Sequence, residues 1–325
     1  MNLKAGFGML KESFKEWKDD DALSLGAALA YYTIFSLAPM LLIAISVAGL
    51  VFGREAAQGE LVGQMRGLVG QQGAEAIQTM IANAGKQGSG VLGTIIGIVT
   101  ILFGATGVFA QLQSSLNKIW NVEAKPGKGI WSFLRTRILS FGMVLGIGFL
   151  LLVSLAVSAA IAALDTYATG IFPGAEVLIG IVSAIFGLAV ITVLFAMMFR
   201  YLPDVKIAWK DVWIGAAVTA VLFVIGKVLI GLYLGNSSVA STYGAAGSLV
   251  ILLLWIYYST QILFFGAEIT QVYATRYGSG IVPDEHAVPV KQIKVEEPSP
   301  SQGNDRDRGE KERGRRSAPA PAKAR

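Results

Sequence analysis

Long stretches without any ionisable side chain constrain this chain more than any other feature. No Asp, Glu, Lys, Arg or His occurs between Ile138 and Leu164, or between Val177 and Phe199. A helix needs about 20 residues to cross the ~30 Å hydrocarbon core of a bilayer, and both stretches are longer. Charged residues make up 15% of the chain, whereas soluble domains carry about 25%. The sequence therefore predicts an integral membrane protein.

Six apolar segments follow one another along the chain. Because only helices and closed barrels satisfy their backbone polar groups in hydrocarbon, uniform segments of this length predict helices. The expected fold class is all-α, a polytopic membrane protein with six transmembrane helices. The predicted spans are residues 26–52, 90–113, 138–163, 177–200, 212–234 and 248–274. Each is apolar on nearly every face, so the pattern does not say which side faces lipid.

Lysine and arginine are distributed unevenly between alternate loops. The N-terminal segment, the loop 114–137 and the loop 201–211 with its flanking Arg200 carry 12 of them, and the alternate loops carry 3. Basic residues are enriched in cytoplasmic loops. Both termini are therefore expected in the cytoplasm.

The N-terminal segment has its own apolar pattern. Leu3, Phe7, Leu10, Phe14 and Trp17 recur at spacings of four and three, with lysines between them. This pattern predicts an amphipathic helix in the membrane interface, as an anchor or, alternatively, as a lipid-sensing or gating element. Three carboxylates follow at positions 19–21; they suit an N-cap of the first span, and the alternative is a cation site.

The outer loop 54–89 is long and rich in glycine. Its apolar residues predict two short amphipathic helices, lying on the outer surface or capping the bundle. Gly59, Gly63 and Gly67 recur at spacing four, which favours close helix contact.

The composition changes at Gly278 to Pro, Ser, Gly and mixed charge. The expected organisation is a transmembrane domain at 1–277 and a disordered cytoplasmic tail at 278–325. On this division, truncation after Gly278 leaves fold and activity intact.

One cation lies inside a predicted span. Lys227 interrupts the apolar run "VLFVIGKVLIGLYL", and a lysine near the bilayer centre costs ~2.5–3.5 kcal/mol. Its side chain tilts toward the helix N-terminus, away from the nearer outer surface. We expect it to face the bundle interior near Tyr257 or Tyr258 and to line a hydrated cavity; snorkelling to the surface is the alternative.

One carboxylate, Glu268, lies well inside a span, about 9 Å from its inner end. This depth is too far from Lys227 for a pair, and the expected neighbours of Glu268 are Tyr31 and Tyr32. The two layers of ionisable groups indicate a polar path through the bundle. Pro39 removes one backbone hydrogen bond inside the first span and predicts a kink there.

The residues that most enzymes need are scarce. There is no cysteine, and the one histidine, His286, lies in the predicted tail. Hydrolysis normally needs carboxylate clusters for metals or histidines for acid–base catalysis. We therefore expect no catalytic, metal or cofactor site and no enzymatic activity.

Three stretches carry a family resemblance. They are "DALSLGAALAYYTIFSLAPMLLI", "RYLPDVKIAWKDVWIGA" and "STYGAAGSLVILLLWIYYSTQILFFGAEITQVYA". In this order they resemble the YihY/BrkB-like family of bacterial membrane proteins, over about residues 10–277. The resemblance implies a six-helix protein of the bacterial inner (plasma) membrane. The family carries labels of virulence factor and of ribonuclease, and a transporter or lipid-handling role has been proposed for it.

Three functions are compatible with these features. The first is a permease-like or lipid-handling transporter with a polar path or lateral groove, and its partners are membrane lipids. The second is a non-transporting scaffold that binds envelope-assembly proteins through loop 54–89. The third, least favoured, is a membrane hydrolase or ribonuclease. No specific nucleic-acid partner is expected, and an oligomer is compatible with the sequence.

Overall fold

The structure is a computed structural model. It describes residues 3–86, 107–125, 175–236, 242–243, 246–285 and 287–290, with single helical positions at 142, 146, 153, 157 and 161. Its helices are α1 (Leu3–Asp19), α2 (Ala22–Phe52), α3 (Arg54–Lys86), α4 (residues 107–119), α5 (Ala175–Tyr201), α6 (Trp209–Asn236) and α7 (Gly247–Arg276). Its strands are β1 (Val122–Ala124), β2 (Val205–Lys206), β3 (Val282–Pro283) and β4 (Ala287–Pro289).

Four helices in the described part of the chain are long and apolar enough to cross a membrane. They are α2, α5, α6 and α7. They coincide with the predicted spans 26–52, 177–200, 212–234 and 248–274. Most of the predicted span 90–113, and the span 138–163 apart from its single helical positions, lie outside the described residues.

The last helix, α7, packs against α6, α2, α1 and α3. Its contact with α6 is close because two glycine–threonine pairs interlock. Thr270 fills the space beside Gly215 where a Cβ would lie, and Thr219 does the same beside Gly266. Each threonine hydroxyl donates to the carbonyl oxygen of the glycine four residues earlier in its own helix, at 2.7 Å. The two hydroxyls are thereby satisfied without water, and the two backbones approach closely.

The outer segment α3 consists of two helical parts that meet at Gly70. This glycine has φ 76°, a conformation that a residue with a Cβ rarely adopts. The two predicted helices are thus present. Their buried side chains form one cluster with α2 and α7: Leu61, Val69, Ile77 and Ile81 with Ile34, Ile45, Leu252 and Ile256. The predicted glycine contact is not observed within the described residues, since none of them lies within 4 Å of a Cβ at Gly59, Gly63 or Gly67.

Three separate segments meet in two small antiparallel sheets on one face of the bundle. Strand β1 pairs with β4, and β2 pairs with β3. Residues 122–124 and 205–206 therefore lie on the same face as residues 282–289, as the charge distribution predicts for segments of one side. We refer to this as the inner face, after the cytoplasmic side on which the charge distribution predicts it.

The inner face corrects the predicted domain boundary. The compact unit extends to Val290, not to residue 277. Beyond the strands, Ser279 donates from its backbone N–H and its hydroxyl to the buried Asp211 carboxylate, at 2.9 and 2.8 Å. Residues 279–290 are therefore part of the folded domain. Residues 291–325 and His286 lie outside the described residues.

Helix α1 docks on α7 through a face that the sequence pattern does not mark. Met9 and Ser13 are buried there, and Glu12 forms an ion pair with Arg276 at 2.5 Å. Three residues of the predicted apolar face, Phe7, Leu10 and Phe14, are exposed, Phe7 by 72%, while Trp17 packs half-buried against the core. Asp21 occupies the N-cap position of α2 but makes no side-chain capping hydrogen bond, so the predicted capping role is not observed for it.

Candidate functional site

Lys227 lies on the buried face of α6. Val212, Ala216 and Ala220 are fully buried along this helix, and Phe223 packs beside them. Lys227 follows Phe223 by four residues, which puts it on the same face. The side chain is half-buried, and it makes no hydrogen bond or ion pair with any described residue. The expected orientation of the ammonium group toward a hydrated cavity stays a prediction.

Tyr258 lies at the same level as Lys227. A Cβ at Gly226 would lie 3.2 Å from the Tyr258 hydroxyl oxygen, so this tyrosine packs against the residue next to the lysine. The register set by the glycine–threonine pairs of α6 and α7 gives the same level. Lys227 is nine residues before the end of α6, which corresponds to about 14 Å.

The outer part of α5 is exposed. Phe195 of α5 and Phe223 of α6 are in ring contact, with centroids 5.7 Å apart. Further toward the beginning of α5, all residues from 177 to 185 are exposed except the half-buried Ile179, so none of the described residues covers this part of the helix. We refer to the region between this exposed part of α5 and the outer end of α6 as the opening, and Lys227 lies on its inward side.

A polar stripe runs along α7. Tyr257, Gln261 and Glu268 are spaced by four and seven residues, so they share one face of the helix, and Tyr258 adjoins it. Gln261 donates from Nε2 to the backbone oxygen of Ala22 at 3.4 Å, while its Oε1 has no partner in the described part of the chain. Sequence reasoning missed Gln261, although its spacing from Glu268 was a usable signal.

Glu268 is fully buried at the inner end of this stripe. Neither carboxyl oxygen has a hydrogen-bond donor within the described residues. The charged groups that act on it are Asp20, in the turn between α1 and α2, and Glu16 of α1. Asp20 is itself 2% exposed. The inner layer therefore consists of carboxyl groups.

The predicted neighbours of Glu268 are wrong. Tyr31 is 60% exposed and is in ring contact with Tyr32, edge-on, and with Phe35, and neither tyrosine hydroxyl bonds to Glu268. Tyr32 packs instead against Gly107 of α4. Along α7, Gly26 of α2 already packs against Gln261, so the residues beside Glu268 come from α1 and the turn that follows it. Pro39 lies inside α2, which continues as one helix through it.

Aromatic residues mark the level of the inner face. Tyr201, Trp209 and Trp213 are exposed and in mutual ring contact, and the Arg200 guanidinium lies over the Trp209 ring at 5.7 Å. Exposed tyrosine and tryptophan are typical of the membrane–water interface. Since four described helices are also long and apolar enough to cross a membrane, the chain is a polytopic α-helical membrane protein.

The particular family follows from comparison with known proteins. Residues 13–290 match the family described as "Virulence factor BrkB". The chain belongs to this family, and the resemblance seen in the three sequence stretches is confirmed.

Several relatives are named UPF0761 membrane proteins. The one from Pseudomonas aeruginosa (strain LESB58) is 32% identical over 261 residues, which cover 76% of this chain and 58% of that protein. That from Alcanivorax borkumensis is 27% identical, over 83% of this chain and 60% of the relative. That from Rhodospirillum centenum is 30% identical, over 81% and 56%. The chain thus spans under two thirds of the length of these relatives. No solved structure matches it.

Proposed function

We propose that the protein is a permease-like, lipid-handling membrane protein whose substrate is an amphipathic molecule with an anionic headgroup. The observation that supports it is Lys227, which lies on the buried face of α6, on the inward side of the opening between α5 and α6. An ammonium group in hydrocarbon costs ~2.5–3.5 kcal/mol. Binding of an anionic group there would compensate for that cost when substrate is present.

The shape of the opening favours a lipid over a small ion. The first nine or so residues of α5 expose large apolar side chains on all sides, among them Val177, Leu178 and Ile185. Such a surface suits acyl chains, while Lys227 and Tyr258 offer a cation and a hydroxyl to a headgroup. In this proposal the polar stripe of Tyr257, Tyr258, Gln261 and Glu268 continues the path toward the inner face. No covalent step is involved.

The proposal includes a six-helix domain in the bacterial inner membrane with both termini in the cytoplasm, and α1 in its inner interface. Phe7, Leu10 and Phe14 of α1 are exposed on one side, and Lys11 and Lys15 are exposed on a neighbouring side. The apolar side suits contact with acyl chains, and the lysine side suits contact with anionic headgroups. Nitroxide labels on Phe7→Cys and Met9→Cys test it: only the first should contact lipid. A Phe7 label in water would contradict the interfacial placement.

A scaffold for envelope-assembly proteins remains the second candidate. It would use α3, whose apolar side chains pack against α2 and α7 and whose remaining surface is rich in Gln, Glu and Gly. Such a surface suits a polar protein partner. This function does not need Lys227, so the same variants separate the two candidates.

The test is lipid movement in liposomes that contain the purified full chain and fluorescent anionic or zwitterionic lipids. Lys227→Met should slow the movement of anionic lipid at least about tenfold, equivalent to ~1.4 kcal/mol. Its melting temperature should be unchanged or raised, because a buried cation is removed. Lys227→Arg should keep part of the rate, since the charge stays but the shape changes.

Lys210→Met is the matched control, because Lys210 is exposed at the beginning of the same helix. It should move lipid at the wild-type rate. A stable Lys227→Met variant with full activity would show that the lysine does not bind substrate. Absence of movement for every lipid in the wild type would favour the scaffold.

A further inference from the structure

The inner end of the polar stripe holds a carboxyl group in an unusual state. Glu268 is fully buried, and no donor reaches either of its oxygens among the described residues. A buried polar group without a partner is rare in native proteins, because it loses its hydration without compensation. Glu268 lies eight residues from the end of α7, about 12 Å along the helix axis.

A second buried carboxyl group lies beside it. Asp20 is 2% exposed, its carboxyl is within hydrogen-bonding reach of that of Glu268, and Glu16 is nearby. Two ionised carboxylates have acceptors only, so no hydrogen bond forms between them. One proton between the two groups supplies the missing donor and removes one of two like charges from a buried site.

The charged groups on the surrounding elements do not neutralise Glu268. From α1, Glu12 is paired with Arg276. From α4, Lys118 donates to the backbone oxygen of Asp20 at 2.5 Å. Asp211 of α6 is bonded by Ser279, and α6 faces this part of α7 with uncharged Gly and Thr residues. Asp21, the N-cap residue of α2, is an acidic group and does not neutralise Glu268 either. Helix α3 contacts the outer half of α7, and it does so through apolar side chains.

Further polar groups lie on two sides of the pair. Glu16 of α1 is half-buried and so partly in contact with solvent. On the other side, Gln261 lies seven residues from Glu268 on the same face of α7, and its Oε1 also lacks a donor. The stripe then continues to Tyr257 and Tyr258, at the level of Lys227.

We propose that Glu268 and Asp20 form a proton-exchange site, open to the inner face, which couples substrate movement to the proton gradient. The site exchanges its proton with the inner solution through Glu16 and with the outer side along the stripe, so that one proton crosses the membrane in each cycle. The existence of the site is independent of the proposed function, whereas the coupling rests on it.

Infrared spectroscopy of the full chain in lipid nanodiscs tests the site without any transport assay. The carbonyl stretch of a protonated carboxyl group shifts in D₂O and disappears on ionisation. We expect such a band at neutral pH, its loss on raising the pH, and its absence in Glu268→Gln. Gln is isosteric with the protonated group, so this variant should fold.

Two further variants keep the result interpretable. Asp20→Asn should retain the band but change the pH at which it disappears, because one partner of the pair is lost. Glu55→Gln, at an exposed carboxylate outside the pair, should leave the spectrum unchanged. A Glu268 band that is absent, or that persists at every pH at which the protein stays folded, would overturn the proposal.

Liposome transport tests the coupling. A pH difference across the membrane should accelerate lipid movement by the wild type several-fold and leave Glu268→Gln unaffected. A sodium gradient with the same effect, or an equal response of both proteins to pH, would overturn proton coupling. If the band titrates as expected but no lipid moves, the proton site stands and the proposed function fails.

Discussion

The segment after α7 should contribute substantially to stability, although its composition resembles that of the tail. Truncation after Gly278 removes Ser279 and both donors of the Asp211 carboxylate, which is 5% exposed. Hydrogen bonds to a charged group contribute ~1.5–3 kcal/mol each, so the pair accounts for about 3–6 kcal/mol. Water that enters the vacated site recovers part of this free energy.

The truncation also removes strands β3 and β4. The backbone hydrogen bonds from Asp284 to Asp204 and from Val290 to Asn121, both 2.9 Å, are lost with them. Each contributes ~0.5–1.5 kcal/mol. With the recovery at Asp211 included, we expect a total loss of about 4 kcal/mol, composed mainly of the two bonds to Asp211.

The assay compares melting temperatures in detergent for chains truncated after Gly278 and after Val290. The second truncation leaves every described contact in place and is the matched control. At 2–4 °C per kcal/mol, the first truncation should melt about 10 °C lower. Asp211→Ala in the full chain should reproduce more than half of the difference. Equal melting temperatures for the two truncated chains would refute the reasoning.

Two further predictions concern packing and topology. Gly266→Ala should destabilise the protein by ~1–3 kcal/mol, because the added methyl group would clash with Thr219. Gly231→Ala, at a position with open space, should be neutral or stabilising by ~0.5–1 kcal/mol. Thermal unfolding of the two variants measures the difference. In this cysteine-free chain, Asn236→Cys should react with an impermeant thiol reagent only from outside and Glu123→Cys only from the cytoplasm. Labelling of Asn236→Cys from the cytoplasm alone would reverse the proposed orientation.

The sequence allows a prediction of which side of α6 carries Lys227, because a single cation in an apolar helix has few favourable environments. The contact face of α1 could not be predicted. Its apolar residues, such as Phe7, mark the strongest pattern, but the face that docks on α7 contains Glu12, Ser13 and Glu16. Glu12 forms an ion pair with Arg276, the Ser13 hydroxyl donates to a backbone oxygen of its own helix, and Glu16 lies in the carboxyl cluster with Asp20 and Glu268. Because these contacts are polar, they produce no periodic pattern of hydrophobic residues in the sequence.

Packing motifs show the same limit. Among the described residues, none lies within contact distance of a Cβ at the spacing-four glycines of α3 or at Gly231 near the outer end of α6. The close contact uses Gly215 and Gly266 with threonines from the opposite helix. A glycine pattern shows where another helix can approach the backbone closely. Whether a helix packs there depends on the side chains of that second helix.

The sequence by itself determined the four apolar helices α2, α5, α6 and α7 and the shared face of β1 and β2, because hydropathy and charge act residue by residue against a uniform solvent. Only the tertiary structure decided what surrounds Glu268. The candidates were separated by more than 200 residues, and the helices are apolar on all faces, so no local pattern selects a side. That choice depends on the packing of α1 against α7, which brings Asp20 and Glu268 together at the inner end of the bundle.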